Sequence, residues 1–286
     1  MANGTSNSVT ETYTIGGELT VNRMGYGAMR ITGEGIWGPP KDHDESIRVL
    51  KRTVELGINF IDTADSYGPH VSEELIAEAL HPYPKDLVIA TKGGLLRTGP
   101  NQWPVNGDPG HLREALEGSL KRLKQDQIQL YQLHRIDTNV PFEKIFKFLQ
   151  QIQEEGLVKH IGLSEVTVDQ IRQAQDYIKV VSVQNMYSVD NRKWENELKY
   201  CEQNDMAFIP WYPLGGGNVE AMNKLDRIAK KHNASVHQLA LSWLLHHSPN
   251  ILLIPGTSKV KHLEENYQAA SISLDQEDLD ELNALG

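Results

Sequence analysis

Cysteine is almost missing from this chain: among 286 residues only Cys201 is present, so no internal disulfide can form. That suits a reducing compartment, and the expected location is the cytoplasm. Cys201 itself reads as an inert residue on an amphipathic helix. Long hydrophobic runs are also missing. The longest, such as ILLI at 251–254, fall far short of the ~20 apolar residues that span a bilayer. The opening MANGTSNSVTET has neither the basic start nor the apolar centre of a signal peptide, and residues 1–11 are expected to form a flexible tail. Basic charge is in deficit. With 28 Lys and Arg against 38 Asp and Glu, the formal charge is −10, which argues against a nucleic-acid or anionic-membrane partner. No H-E-x-x-H or C-x-x-C spacing offers a metal site, and His246-His247 reads as a solvated pair at a helix end. No nucleophile elbow occurs either.

What is present is regular alternation. TYTIGGELTVNRM (12–24) reads as a β-hairpin turning at Gly16-Gly17. Short apolar runs then predict strands over 24–29, 58–62, 87–92, 128–134, 160–164, 180–185, 207–212 and 251–254. Helical patterns lie between them, at 43–57, 71–81, 109–124, 141–156, 167–178, 191–205, 218–247 and 259–268. A last outer helix begins near Ser273. Eight strand–helix pairs without a Pro/Gly-rich linker indicate one α/β domain over 12–286, a (β/α)8 TIM barrel whose N-terminal hairpin plugs the bottom. A doubly wound sheet shows the same alternation. Its nucleotide fingerprint, G-x-G-x-x-G, is matched in spacing by GEGIWG (33–38), but Pro39-Pro40 follow where a helix would have to begin. That segment is expected to be a mobile loop.

Four residues at or just beyond strand ends carry the chemistry: Asp62 and Tyr67 in NFIDTADSYG, Lys92 in LVIATKGG, and His134 in LYQLHRID. Titratable side chains at the carboxyl ends of successive parallel strands are how a barrel assembles an active site. A tyrosine with a pKa near 10 is a weak acid. A neighbouring ammonium stabilises its phenolate, a carboxylate holds the ammonium, and a neutral imidazole can orient a carbonyl oxygen. Such a set protonates an oxygen while an electron pair reaches carbon. Without a metal or an activated nucleophile, the hydride must come from a bound cofactor.

The chain resembles the aldo-keto reductase family from about residue 12 to 270. The resemblance is carried by GYGAM (25–29), NFIDTADSYG (59–68), ATKGG (90–94), LHRID (133–137), HIGLSEV (160–166), VQNMYS (183–188), PWYPLGGG (210–217) and IPGTSKVKHLEEN (254–266). It implies a (β/α)8 barrel that reduces carbonyl compounds with NADPH, Tyr67 being the general acid, Asp62 and Lys92 tuning it, and His134 orienting the carbonyl. It further implies a cofactor site formed by Gly27, Ala28, Met29, Asp62, Ser164, Gln184, Trp211, Pro213, Leu214, Gly216, Gly256, Thr257, Ser258, Lys259, His262, Glu265 and Asn266. Ser164 and Gln184 match carboxamide-binding positions, Trp211 an aromatic ring stacked on the nicotinamide, and Glu265 and Asn266 the adenine contacts. The sequence departs from the family at Glu165, where asparagine is usual. It departs again at Gly256 and His262, where lysine and arginine commonly meet the 2′-phosphate. NADP(H) is therefore favoured, with NAD(H) not excluded and Lys259, Lys261 and His262 as alternative cations.

Tyr26, Trp37, Trp103 and Tyr187, with Met29, are candidates for the substrate pocket. Several segments are similar to bacterial members of the pyridoxal reductase branch, which makes pyridoxal a possible substrate. A non-redox barrel enzyme acting on a phosphorylated metabolite and a nucleotide-sensing binding subunit are the rival readings. The oligomeric state is not readable.

Overall fold

The computed structural model describes residues 12–213 and 219–286. The tail 1–11, Leu214 and Gly216 lie outside the described residues. Two strands, β1 (Thr12–Ile15) and β2 (Leu19–Asn22), pair antiparallel. Gly16 and Gly17 both take positive φ, which a tight turn requires and glycine adopts without a Cβ clash.

The barrel follows. Seven parallel strands run in sequence order: β3 (Tyr26–Gly27), β4 (Phe60–Asp62), β5 (Val88–Gly93), β6 (Ile128–Leu133), β7 (Val158–Ser164), β8 (Val180–Gln184) and β9 (Ala207–Phe208). The 251–256 segment closes the ring. Ile251 bridges to Phe208 on one side, while Leu253 and Gly256 bridge to Met24 and Gly27 on the other. This is the expected (β/α)8 barrel, its eighth strand present as bridges to both edges.

Strand alternation sorts the side chains into two cores. Phe60, Val88, Ala90, Leu130, Val181, Ala207, Ile209 and Leu252 point inward and pack on Ile15, Leu19 and Val21 of the hairpin. The hairpin thus plugs the barrel bottom. Alternate residues, among them Ile61, Ile89, Tyr131 and Ile161, point outward to the helices.

The helices are α1 (His43–Glu55), α2 (Val71–Leu80), α3 (Pro109–Leu123), α4 (Phe142–Glu154), α5 (Val168–Gln175), α6 (Glu195–Gln203), α7 (Val219–Lys231), α8 (Val236–His247), α9 (Val260–Gln268) and α10 (Gln276–Asn283). Their limits follow local chemistry. Asp42 caps α1 and Asp108 caps α3, which has Pro109 in its first turn. Gly57 and Gly156, both at positive φ, stop α1 and α4. The long helical stretch expected over 218–247 is two helices, because Asn233 turns to positive φ and Ser235 with Gln238 forms a capping box that starts α8. The last helix is capped by Asp275, not Ser273. No described helix is long and apolar enough to cross a membrane.

Candidate active site

A cavity of about 830 Å³ opens at the carboxyl end of the barrel strands. Asp62 ends β4, Lys92 is the penultimate residue of β5, and His134 directly follows β6. Inward parity therefore brings all three to one place. Lys92 is fully buried and Asp62 nearly so. The ammonium donates to Asp62 Oδ1 at 2.5 Å, to the Thr63 carbonyl at 2.8 Å and to Tyr67 Oη at 3.4 Å. Tyr67 comes from the turn after β4, and its ring meets the His134 imidazole edge-on at 5.9 Å.

The electrostatics assign protonation states. Burial raises the Tyr67 pKa above the ordinary value, and the opposing pull of Lys92 does not reverse this. The lysine acts in the expected direction, but desolvation of the phenolate is the larger effect, so Tyr67 holds its proton at neutral pH. The Lys92 pKa is raised by Asp62 and Tyr67 despite burial, so it stays an ammonium. Burial, with Lys92 and Arg135 nearby, holds His134 well below the usual imidazole range. Its Nδ1 is buried without a partner. The site thus contains a protonated phenol, an ammonium and a neutral imidazole.

One contributor escaped the sequence reading. Gln132 lies in register with Lys92 and faces inward. Its Nε2 donates to Asp62 Oδ2 at 2.9 Å, and Gln184 Nε2 donates to the same oxygen at 3.0 Å. The carboxylate is therefore fully engaged. The available signal was parity: Leu130, Gln132 and His134 alternate along one face of β6 and its exit.

Among the expected cofactor residues, Gly27, Met29, Ser164, Gln184, Trp211, Pro213 and Gly256 line the cavity with Asp62. Ala28 is buried behind it. Ser164 and Gln184 are register partners at adjacent strand ends. Glu165, at positive φ, accepts from Met186 N at 2.7 Å and from the Trp211 indole at 2.8 Å, so it orients the tryptophan. A Cβ at Gly256 would stand 2.9 Å from the Gly27 carbonyl, so the backbone approach there requires glycine. Thr257, Ser258, Lys259, His262, Glu265 and Asn266 lie beyond the cavity wall, on the approach to α9 and along it. One amide of that helix terminus, Val260 N, is already engaged by Glu45 Oε1 at 3.1 Å.

The substrate-pocket expectations divide. Trp103 and Met29 line the cavity; Tyr26, Trp37 and Tyr187 do not. Tyr26 faces the outer core, and its hydroxyl donates to the Thr257 carbonyl at 2.6 Å. Tyr187 packs between Phe208 and Trp243 and donates to Glu195. Trp37 is 37 % exposed, with the Arg97 guanidinium 5.6 Å from its ring centroid.

That loop is pinned. The Arg97 guanidinium donates to the carbonyls of Gly35, Ile36, Ser66, Gly99 and Gln102, and it lies 3.6 Å from the Trp103 ring centroid. GEGIWG is thus tied over the cavity by a side chain some sixty residues distant. Arg97→Ala should cost about 1–3 kcal/mol in urea unfolding and raise KM more than it lowers kcat. Unchanged KM and stability would show that these loops hold their positions without it.

The profile of the Aldo/keto reductase family matches residues 23–286. An uncharacterised oxidoreductase of Schizosaccharomyces pombe (strain 972) is 56 % identical over 262 residues, covering 91 % of this chain and 85 % of its own length. Pyridoxine 4-dehydrogenase of Escherichia coli (strain K12) is 40 % identical over 280 residues, covering 96 % of this chain and 98 % of its own. The crystal structure of a thermostable aldo-keto reductase in complex with the inhibitor epalrestat superposes with a TM-score of 0.84 at 29 % identity, over 96 % of this chain and 100 % of that one. Sequence, fold and the company kept by Lys92 agree, and this chain belongs to the aldo/keto reductase family.

Proposed function

We propose that the protein reduces an aldehyde or ketone to an alcohol with NADPH, and that pyridoxal is its leading candidate substrate. The carrying observation is the contact of a buried ammonium with Tyr67 beside a neutral His134. Membership of the family supports carbonyl reduction, and the similarity to an enzyme named pyridoxine 4-dehydrogenase supports pyridoxal.

The residues fit a nicotinamide nucleotide. Trp211 presents a partly exposed ring held by Glu165, Ser164 and Gln184 stand together as polar partners, and the Gly27–Gly256 contact leaves a backbone-lined floor. When bound, the nucleotide supplies hydride. The protein supplies the rest. His134 and Tyr67 hold the substrate oxygen by hydrogen bonds, and the Tyr67 Oη proton moves to that oxygen as negative charge develops on it. Lys92 stabilises the phenolate left behind, and Asp62, fixed by Gln132 and Gln184, keeps Lys92 in place.

The nucleotide is tested by titration, with Trp211 fluorescence as the readout. Lys259 caps no neighbour with its side chain, and Lys261 is largely exposed beside Glu265. Replacing both by Ala should weaken NADPH binding by about 1–3 kcal/mol per charge-assisted contact and leave NADH binding nearly unchanged. Equal losses would place the 2′-phosphate elsewhere. A protein that binds neither nucleotide would overturn the reductase reading.

A further inference from the structure

Arg135 follows His134 and lines the same cavity. Its Nη1 donates to the His134 carbonyl at 2.6 Å and to Ser164 Oγ at 2.9 Å, which fixes the guanidinium against the wall. Among the described residues its other N–H groups form no hydrogen bond and it enters no ion pair. Glu165, a carboxylate whose charge acts on Arg135, spends Oε1 on Met186 and Trp211. Asp62, the other carboxylate at this wall, is saturated by Lys92, Gln132 and Gln184. Arg135 thus stays charged, is partly buried, and keeps donors without a partner in the cavity that Tyr67 also lines. A partly buried guanidinium with free donors is a recognition element for a planar oxyanion, because its fork matches two oxygens at once.

We propose that Arg135 is a specificity-determining residue that selects carbonyl substrates bearing an anionic oxygen group, a carboxylate above all, close to the reacting carbonyl. This rests on the carbonyl-reductase reading. Tyr67, His134 and Arg135 line one cavity, so a substrate whose carbonyl oxygen sits between Tyr67 and His134 shares its space with the guanidinium. An anion there meets the unpaired charge, whereas a neutral group of equal size leaves it unpaired.

The test compares the three carboxybenzaldehyde isomers with their methyl esters in NADPH oxidation at neutral pH. For at least one isomer, the wild type should show kcat/KM about 10- to 100-fold higher for the acid than for its ester. Arg135→Gln should erase most of that ratio, and Arg135→Lys should restore part of it. NADPH affinity, read by fluorescence, should be similar in all three proteins. Three outcomes would overturn the inference while leaving the reductase reading intact. These are an acid-to-ester ratio near one in the wild type, a ratio that Arg135→Gln does not change, and a loss of NADPH affinity in place of a loss of acid preference. The last would assign Arg135 to the nucleotide. Failure to turn over any of these aldehydes, pyridoxal and a wider panel of aldehydes and ketones would remove both readings together.

Discussion

Tyr67→Phe should bind NADPH as the wild type does and lose carbonyl reduction by a factor of at least about 100, and up to about 10,000, the range set by a positioned general acid. The substitution keeps the ring that packs between Trp103 and His134 and removes only the oxygen that Lys92 contacts at 3.4 Å. The pH profile carries the sign. Reduction needs the phenol protonated, and burial raises its pKa. Wild-type activity should therefore hold through neutral pH and fall only as pH rises beyond the ordinary tyrosine range. In Tyr67→Phe the residual rate should lack that alkaline limb. Near-normal reduction of the best aldehyde by this variant would remove Tyr67 from the mechanism.

Lys92→Met should be damaging in two separable ways. It takes the ammonium from a fully buried pair and leaves Asp62 with only its two amide partners. Orphaning a buried charge costs about 3–5 kcal/mol, readable as a lowered urea midpoint. The Lys92 pKa is raised in the folded state, so its contribution is fully present below the ordinary lysine value of about 10.4. It is lost only as pH rises through the higher folded value. The stability difference between wild type and variant should accordingly be flat across neutral pH. Adding Asp62→Asn should return part of the lost stability, because it removes the unpaired carboxylate, yet activity should stay low. Activity restored by the double variant would contradict the role given to the ammonium.

Much of this site was legible because barrel topology converts one-dimensional position into three-dimensional proximity. Asp62, Lys92, His134, Ser164 and Gln184 sit at the ends of short apolar runs, and parallel strands deliver such ends to one mouth. The unread parts depended on parity or on distant partners. Tyr26 is expected in the pocket as an aromatic at the end of the first strand, but it shares the outward parity of Ile61, its register partner. Tyr187 was drawn into the core by Phe208 and Trp243, far apart in sequence. Arg97 clasps carbonyls more than sixty residues upstream, which no local pattern announces. The mobility expected of GEGIWG missed that clasp for the same reason. Glu165 read as a lost amide donor; its partnership with Trp211 across 46 residues shows what the carboxylate does instead.

In the proposed reaction Tyr67 gives a proton to a carbonyl oxygen while hydride from NADPH reaches the carbonyl carbon. A single-turnover reaction of pyridoxal with NADPH carrying deuterium in both positions of nicotinamide C4, run on the wild type and on Tyr67→Phe, tests both transfers, with the product read by mass spectrometry. The wild type should give pyridoxine carrying one deuterium on the carbon that was the aldehyde, and Tyr67→Phe should form the same product at least about 100-fold more slowly; an equal rate in the variant would take the proton transfer away from Tyr67. NADPH bound and pyridoxal present, but no deuterium transferred to that carbon, would contradict it for this substrate; the same result across a panel of aldehydes and ketones would contradict it altogether.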